Sequence, residues 1–536
     1  MKVDKLYIRS RFKNLENVMV DFDENHLMTV IVGRNGSGKS NVLEALVAIF
    51  RNLDFGEEPP FSYELNFQIG EESWVKWYDV KVDADPSRGT LSKQYQILVK
   101  NKHHTNGKYK PVSISAVKRD KKTKLAEYLP NFMFAYYSGP SDRLEKYFRK
   151  HRDIYYRELL DDELDLRADI RSLFYAKPVH SKHVLLAFFQ SPELKKEQEF
   201  LKENLGIKSI DSIHFVLKKP SWGGTGDPFW GTKGIARDFI ERLMPYALAP
   251  VRVTRVDDDL TSLTGKKHKN EFVHIFLPSE ECLHEVAKGL TPSIFFKLLE
   301  SSDLSQIIAE VNIRVNATFA REPITFKELS EGEQQLLTVL GLLKFTGGKD
   351  SLFLLDEPDT HLNPSWAVKY LKFLREFVPN HETSHLLMVT HHPLAIAELK
   401  KQQVQVMWRD DEHNVHSQEP YIDPRGAGFM ATLTEIFGLN TTLDLETQKL
   451  LDERNELAHI ENRTEEQNNL LDQFNDELNR LGFSFENRDP LYSEFLLAWQ
   501  DLKYSDKPPL TPDAALQRRT AMKKVIEAIQ AKGKSK

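Results

Sequence analysis

Hydrophobic and polar positions change rhythm several times along the chain. Val18, Val20 and Phe22 alternate with polar neighbours, which predicts a strand with one buried face. Leu27 to Val32, LMTVIV, is apolar without interruption, the pattern of a strand covered on both faces. NVLEALVAIF then sets Val42, Leu43, Leu46, Val47 and Phe50 at helical spacing. From about 60 to 137 the alternation returns, in WVKWYDVKV and QYQILV, around a polar loop, NKHHTNGKYK. From about 141 to 320, charged helical segments dominate, with two short strand-like runs, IHFVL and FVHIFLP. After ITFKELS a second helix–strand–helix–strand series ends near 410.

The remainder predicts helices. Thr464 to Gln467 has the form of a capping box, the stripe Leu470, Leu471, Phe474, Leu478 and Leu481 follows, and Gly482 closes it. No heptad lasts long enough for a coiled coil, and no internal repeat of roughly 20 to 50 residues is present. The alternation of strands and helices predicts an α/β fold, divided at 1–140, 141–320, 321–427 and 428–536.

Composition narrows the class. The 536 residues hold 25 Gly and 25 Pro, too few for a collagen-like or low-complexity chain, and 40% hydrophobic with 28% charged residues is globular usage. A single cysteine, Cys282, excludes an internal disulfide framework and a four-cysteine zinc site, and fits a reducing compartment. The longest apolar stretches, such as LLTVLGLL at Leu336 to Leu343, fall far short of the ~18 residues of a membrane span. The first residues, MKVDKLYIRSRFKNL, lack the apolar core of a signal peptide. A cytoplasmic protein without membrane contact is expected. The net charge of −6 argues against bulk binding to nucleic acid, although VKRDKKTK at Val117 to Lys124 is a candidate phosphate-backbone contact. His180 and His183 have no cysteine or carboxylate nearby to complete a metal set, and are expected in the core.

The chemistry is concentrated in a few motifs. GRNGSGKS, after the buried strand and before the helix, fits the phosphate-binding loop G-x-x-x-x-G-K-[ST]. Its candidate ATP-binding residues are Gly33, Arg34, Asn35, Gly36, Ser37, Gly38, Lys39, Ser40 and Asn41. The glycines let backbone N–H groups turn inward as an anion nest, and the helix aims its positive end at the phosphates. Lys39 supplies a cation, and Ser40 a hydroxyl for Mg²⁺. SLFLLDEPD ends a buried strand in two acids: Asp356 is the second candidate metal ligand, and Glu357 is placed to polarise the attacking water. LSEGEQQ, Leu329 to Gln335, puts Ser330 and Gly332 at a helix N-terminus, another anion site, with Glu333 completing a capping box.

Together these motifs resemble the ABC-type ATPase heads of the SMC and RecF group. The resemblance implies a head assembled from N- and C-terminal lobes, with a mixed α/β insertion and a helical C-terminal extension. It implies that Ser330, Gly332 and Glu333 act in trans, closing over ATP held by a second copy, so that a homodimer sandwiches two ATP molecules with Mg²⁺. EPDTHLNP resembles the D-loop, with Asn363 where aspartate is usual, and VTHHP makes His391 the switch histidine, catalytic beside Glu357. The Q-loop departs from the pattern: FAYYSGPSDRL, Phe134 to Leu144, has no glutamine, and Gln68 is a strand position.

The only acidic cluster after His391, WRDDEH, reads as a hairpin turn and not as the Toprim nuclease of OLD proteins. ENLGIKSIDSIHFVLKKPSW and EIFGLNTTLDLETQKLLDERNEL are similar to the ATPase subunit of Septu-type antiphage systems, including retron-associated versions. That resemblance implies a slowly hydrolysing sensor subunit that controls a separate HNH nuclease (PtuB-like). Further implied partners are a retron reverse transcriptase with its RNA–DNA hybrid, and DNA itself. A RecF-like DNA-repair ATPase, and a nucleotide-locked scaffold that holds a nuclease or toxin inactive, are the other readings. The extension from Gly428 onward is the expected docking surface for the nuclease.

Overall fold

The computed structural model describes residues 1–481, apart from 74, 104–106, 161–170, 225, 259–266, 440, 442 and 461, and a few positions between 517 and 524. Gly482 and most of the extension beyond it lie outside the described residues.

A seven-stranded sheet occupies the centre, in the order 415–418, 404–409, 28–33, 384–389, 351–356, 132–137, 173–175. All neighbours are parallel except the first pair, which is the antiparallel hairpin predicted around WRDDEH. Alternate residues of each central strand enter different cores. Ile31, Leu352, Leu354, Leu387 and Val389 pack with the helix Lys39–Phe55 and a six-stranded antiparallel sheet. Met28, Val30, Val32, Phe353, Leu355, Leu386 and Met388 pack with the helices His180–Phe188, Pro292–Leu304, Glu331–Thr346 and Pro364–Phe377. Both faces being apolar, LMTVIV, SLFLLD and SHLLMV show no alternation.

The six-stranded sheet runs 18–21, 2–8, 63–70, 77–84, 95–101, 110–112, matching the alternating stretch of the N-terminal part. A third, five-stranded antiparallel sheet has the order 251–258, 267–277, 207–218, 308–317, 324–325. Here the structure corrects the sequence reading, which found only two short strand-like runs between 141 and 320. The elements of that span do not all lie in this sheet. Its Leu173–Tyr175 strand is the edge of the central sheet, paired with Met133 to Ala135, and its helix His180–Phe188 lies in the core shared with Glu331–Thr346. Three residues are too few for a periodic signal, and a helix buried all round has no polar face to mark it.

At the C-terminal side, Leu445–His459 and Glu465–Arg480 pack as a helical pair, and the capping box of Thr464 and Gln467 forms. Within the leucine stripe Leu478 is fully buried, whereas Leu470 and Leu481 are exposed. Among the described residues no helix is long and apolar enough to cross a membrane.

Candidate nucleotide-binding site

Strands of an open parallel sheet present their carboxyl ends on one edge, where ligands sit. Gly33, Asp356 and Thr390 arrive there from three adjacent strands, with Ser138 beyond the fourth. The loop after Gly33 needs unusual backbone: Gly33, Gly36 and Gly38 have φ of 143°, 78° and 98°. A Cβ on Gly33 would stand 2.1 Å from the Met407 carbonyl oxygen, so glycine alone fits between the strands.

Lys39 opens the following helix, and the residue is only 4% exposed. It donates to the carbonyl oxygens of Gly33 and Arg34, each at 2.9 Å. Burial lowers its pKa to about 8, while Glu357 and Asp356 pull the other way. A triphosphate arriving here meets an ammonium already desolvated and aimed along the loop. The Ser37 hydroxyl is buried without a partner among the described residues. Arg34 and Asn35 are exposed, and Arg34 also donates to the Gly438 carbonyl at 2.5 Å, tying the loop to the C-terminal segment. Asn41 and Gly36 are braced by Asn14, through bonds of 2.5 and 3.1 Å.

Ser40 Oγ donates to Asp356 Oδ1 at 2.9 Å. The other carboxylate oxygen of Asp356 is buried and has no partner among the described residues, and burial pushes this acid up to about 6. A hydroxyl and an unsatisfied carboxylate oxygen, both hard oxygen donors, fit a small divalent cation such as Mg²⁺.

Glu357 follows in the left-handed region, at φ 53°, a conformation that turns its side chain out of the strand. Its amide donates to the Val389 carbonyl, and its carboxylate meets His391 Nε2 at 3.2 Å. The His391 bond holds the Glu357 carboxyl below the usual range, against the opposing effect of burial. Asp359, buried and pushed up to about 6 by that burial, accepts from Thr390 Oγ1 at 2.6 Å. This clamp fixes the turn that carries His391.

Ser330 caps the helix Glu331–Thr346, and its capping box with Glu333 forms as predicted: the Glu333 amide donates to Ser330 Oγ, and Glu333 accepts from the Ser330 amide at 2.7 Å. Among the described residues no hydrogen bond or ion pair joins Ser330, Gly332 or Glu333 to the phosphate loop of the same chain. Gly332 lies hard against the D-loop, where a Cβ would stand 2.4 Å from the His361 carbonyl oxygen. Asn363 caps the helix Pro364–Phe377, its side chain accepting from the Trp366 amide.

Several residues escaped the sequence reading. Gln335 Nε2 donates to the Glu357 carbonyl at 3.3 Å, and its oxygen accepts from the His361 amide at 3.2 Å. It thus joins the helix Glu331–Thr346, Glu357 and the turn at His361 in one chain, and its place inside LSEGEQQ was the available signal. In the stretch that lacks a Q-loop glutamine, the Ser138 amide donates to the Asp356 carbonyl and its hydroxyl meets Thr360 at 3.1 Å. Arg143 reaches Asn41 and Glu44. Gln68 is held by Lys102 in the six-stranded sheet, away from these residues.

Other candidates are structural. His180 and His183 are buried against Phe296, and burial pushes His183 down to about 3. In VKRDKKTK, Arg119 turns inward to Asp54 at 2.6 Å and Lys124 pairs with Glu158, which leaves Lys118, Lys121 and Lys122 outward.

A family model described as "AAA domain, putative AbiEii toxin, Type IV TA system" matches residues 28–397. Septu protein PtuA of Bacillus thuringiensis is 24% identical over 228 residues, 38% of this chain and 57% of that protein. The DNA replication and repair protein RecF of Pseudoalteromonas atlantica is 32% identical over 135 residues, 25% of this chain and 32% of that protein. Across four curated relatives the match spans 22% to 57% of their own lengths. The SMC head domain from Thermotoga maritima aligns with a TM-score of 0.32 at 13% identity, covering 78% of this chain and 99% of that one.

Proposed function

The chain belongs to the AAA-domain family whose model spans residues 28–397, and on that premise we propose that it hydrolyses ATP at sites completed by a second copy, as the sensor subunit of an antiviral complex that controls a separate HNH nuclease. One observation carries the ATP reading: the buried Lys39, the Ser40–Asp356 pair and the His391–Glu357 pair meet at the carboxyl edge of one parallel sheet.

Lys39 and the inward amides of residues 33–40 would bind the β- and γ-phosphates. Ser40 and Asp356 would hold Mg²⁺, which when bound offsets negative charge on the phosphate oxygens. Glu357, kept ionised by His391, accepts a hydrogen bond from the attacking water and orients it. Gln335 holds the carbonyl of that same glutamate, so a displacement of the signature helix reaches the water-orienting group directly.

Ser330 is exposed and bonded within its own capping box, which leaves the helix N-terminus free to meet a nucleotide from outside the chain. Ser330→Arg is therefore expected to stop hydrolysis while leaving ATP binding at the phosphate loop unchanged. Normal turnover by a monomeric Ser330→Arg protein would rule out the two-copy site.

The defence reading is supported by the similarity to Septu protein PtuA, and the RecF-like repair reading by the 32% identity to RecF. Co-expression with an HNH nuclease, where one is encoded beside it, separates them. The nuclease is expected to copurify and to change its cutting when ATP is added, and an ATP-indifferent nuclease that never copurifies would favour repair.

A further inference from the structure

The five-stranded sheet leaves one face open, and a cavity of about 540 Å³ lies on it, closed on one side by Lys182, Phe326 and Lys327. Strand register places the side chains on that face: His214 opposite Phe276 and Asn312, Val216 opposite His274, and Ser212 opposite Arg314. The rings of His214 and His274 stack at 5.1 Å with an 18° tilt, Nε2 to Nδ1 at 3.0 Å, and Phe276 is 37% exposed. Farther along the same strand, Lys218 and Arg255 lie over the ring of Phe272, at 5.9 and 5.7 Å.

Cations line the opposite rim. Arg314 and Lys327 are exposed, and Lys182 donates to the Val311 carbonyl at 2.7 Å. None of the three forms an ion pair among the described residues. The nearest acids are already engaged, Glu328 by the Thr325 backbone and hydroxyl, and Glu310 by Asn312. The three cations outnumber the two nearby carboxylates, Glu310 and Glu328, beside flat rings.

We propose that this groove binds single-stranded nucleic acid, with bases against Phe276 and the His214–His274 pair and phosphates on Lys182, Arg314 and Lys327. Rings that face bases and cations that track a backbone are the two requirements of such a site. The cavity has the volume of a site for one drug-sized molecule, so it admits bases singly and no paired helix. His274 and Phe276 lie two positions apart along one strand, a step of roughly 7 Å that suits neighbouring bases. An acidic peptide would use the cations and leave the rings unused.

The groove also touches what positions the signature. Lys327 sits in the 3₁₀ turn Phe326–Glu328, just ahead of Ser330. Lys182 is on the helix His180–Phe188, which packs so closely on the signature helix that a Cβ on Gly341 would stand 1.9 Å from Val184. Phosphates bound to both lysines would brace the two elements that set the position of Ser330. This coupling rests on the two-copy reading above, whereas the binding itself does not.

Anisotropy of a short fluorescein-labelled oligo-dT strand, titrated with the full chain without ATP, tests the binding. Arg314→Glu/Lys327→Glu is expected to weaken it at least about tenfold and to reduce the slope of log affinity against log salt by about 1.4, two contacts at ~0.7 each. Phe276→Ala is expected to weaken binding about tenfold with the slope unchanged, the signature of lost stacking. Lys122→Glu, on the outward side of the 117–124 loop, should leave binding intact. Equal binding by all these proteins, a duplex of the same sequence binding as tightly, or poly-glutamate displacing the strand at equal concentration would overturn the proposal. With ATP added, the strand should stimulate hydrolysis by the native chain and not by Arg314→Glu/Lys327→Glu. Stimulation lost while binding persists in the native chain would overturn the coupling alone.

Discussion

Lys39→Ala is expected to lower ATP affinity on the order of 10²- to 10⁴-fold, as two charge-assisted hydrogen bonds at about 1.5–3 kcal/mol each would give. The amine is already buried and fixed by two carbonyls of the loop it serves, so ATP binding costs little ordering of the side chain. Its removal leaves the nest of amides without the cation that balances the triphosphate. Its hydrogen bonds go to loop carbonyls, and its loss removes both a buried charge and its attraction to Asp356 and Glu357, so the melting temperature without nucleotide should change little. Calorimetric titration of ATP reads the effect, and an unchanged dissociation constant would mean that the phosphate loop is not the nucleotide site.

Glu357→Gln is expected to keep ATP binding and reduce turnover on the order of 10²- to 10⁴-fold. The amide is nearly isosteric and can still face His391, so the 3.2 Å contact and the left-handed turn are retained. What disappears is the negative charge that accepts a proton from water. The variant should therefore trap the ATP-bound state, and single-turnover hydrolysis compared with ATP retention measures both effects. Near-normal hydrolysis would remove Glu357 from the role of base.

The parts of the site that were legible in the sequence are those whose chemistry restricts residue type within a few positions. A phosphate nest needs Gly33, Gly36 and Gly38 where φ is positive, and Lys39 and Ser40 have few substitutes beside it. The buried strand before Asp356 announces itself by an unbroken apolar run. Contacts between distant segments were not legible. Arg143 reaches Asn41 across 102 positions and Ser138 meets Thr360 across 222, so no local spacing could pair them. Gln335 stood in view inside its motif, but its bond to the Glu357 carbonyl is a tertiary fact.

The five-stranded sheet was missed for a different reason. Val311, Ile313, Val315 and Ala317 do alternate, with burial to match, in the strand Ile308–Ala317. Arg314, Asn312 and Glu310 on the other face made the segment read as charged helix and loop. Asn312 and Arg314 line the open groove, so the feature that obscured the strand is the one that gives the sheet its proposed binding surface. A role in trans, finally, lies beyond what one chain displays: Ser330 has its capping partner at hand and shows nothing of the nucleotide it is proposed to meet.

Sedimentation of Glu357→Gln and of the double variant Glu357→Gln/Ser330→Arg, each with saturating ATP and Mg²⁺, tests the two-copy site most directly. The account predicts an ATP-dependent doubling of mass for the single variant and none for the double variant, with equal ATP bound per chain in both. Doubling in both proteins, or in neither, would contradict it.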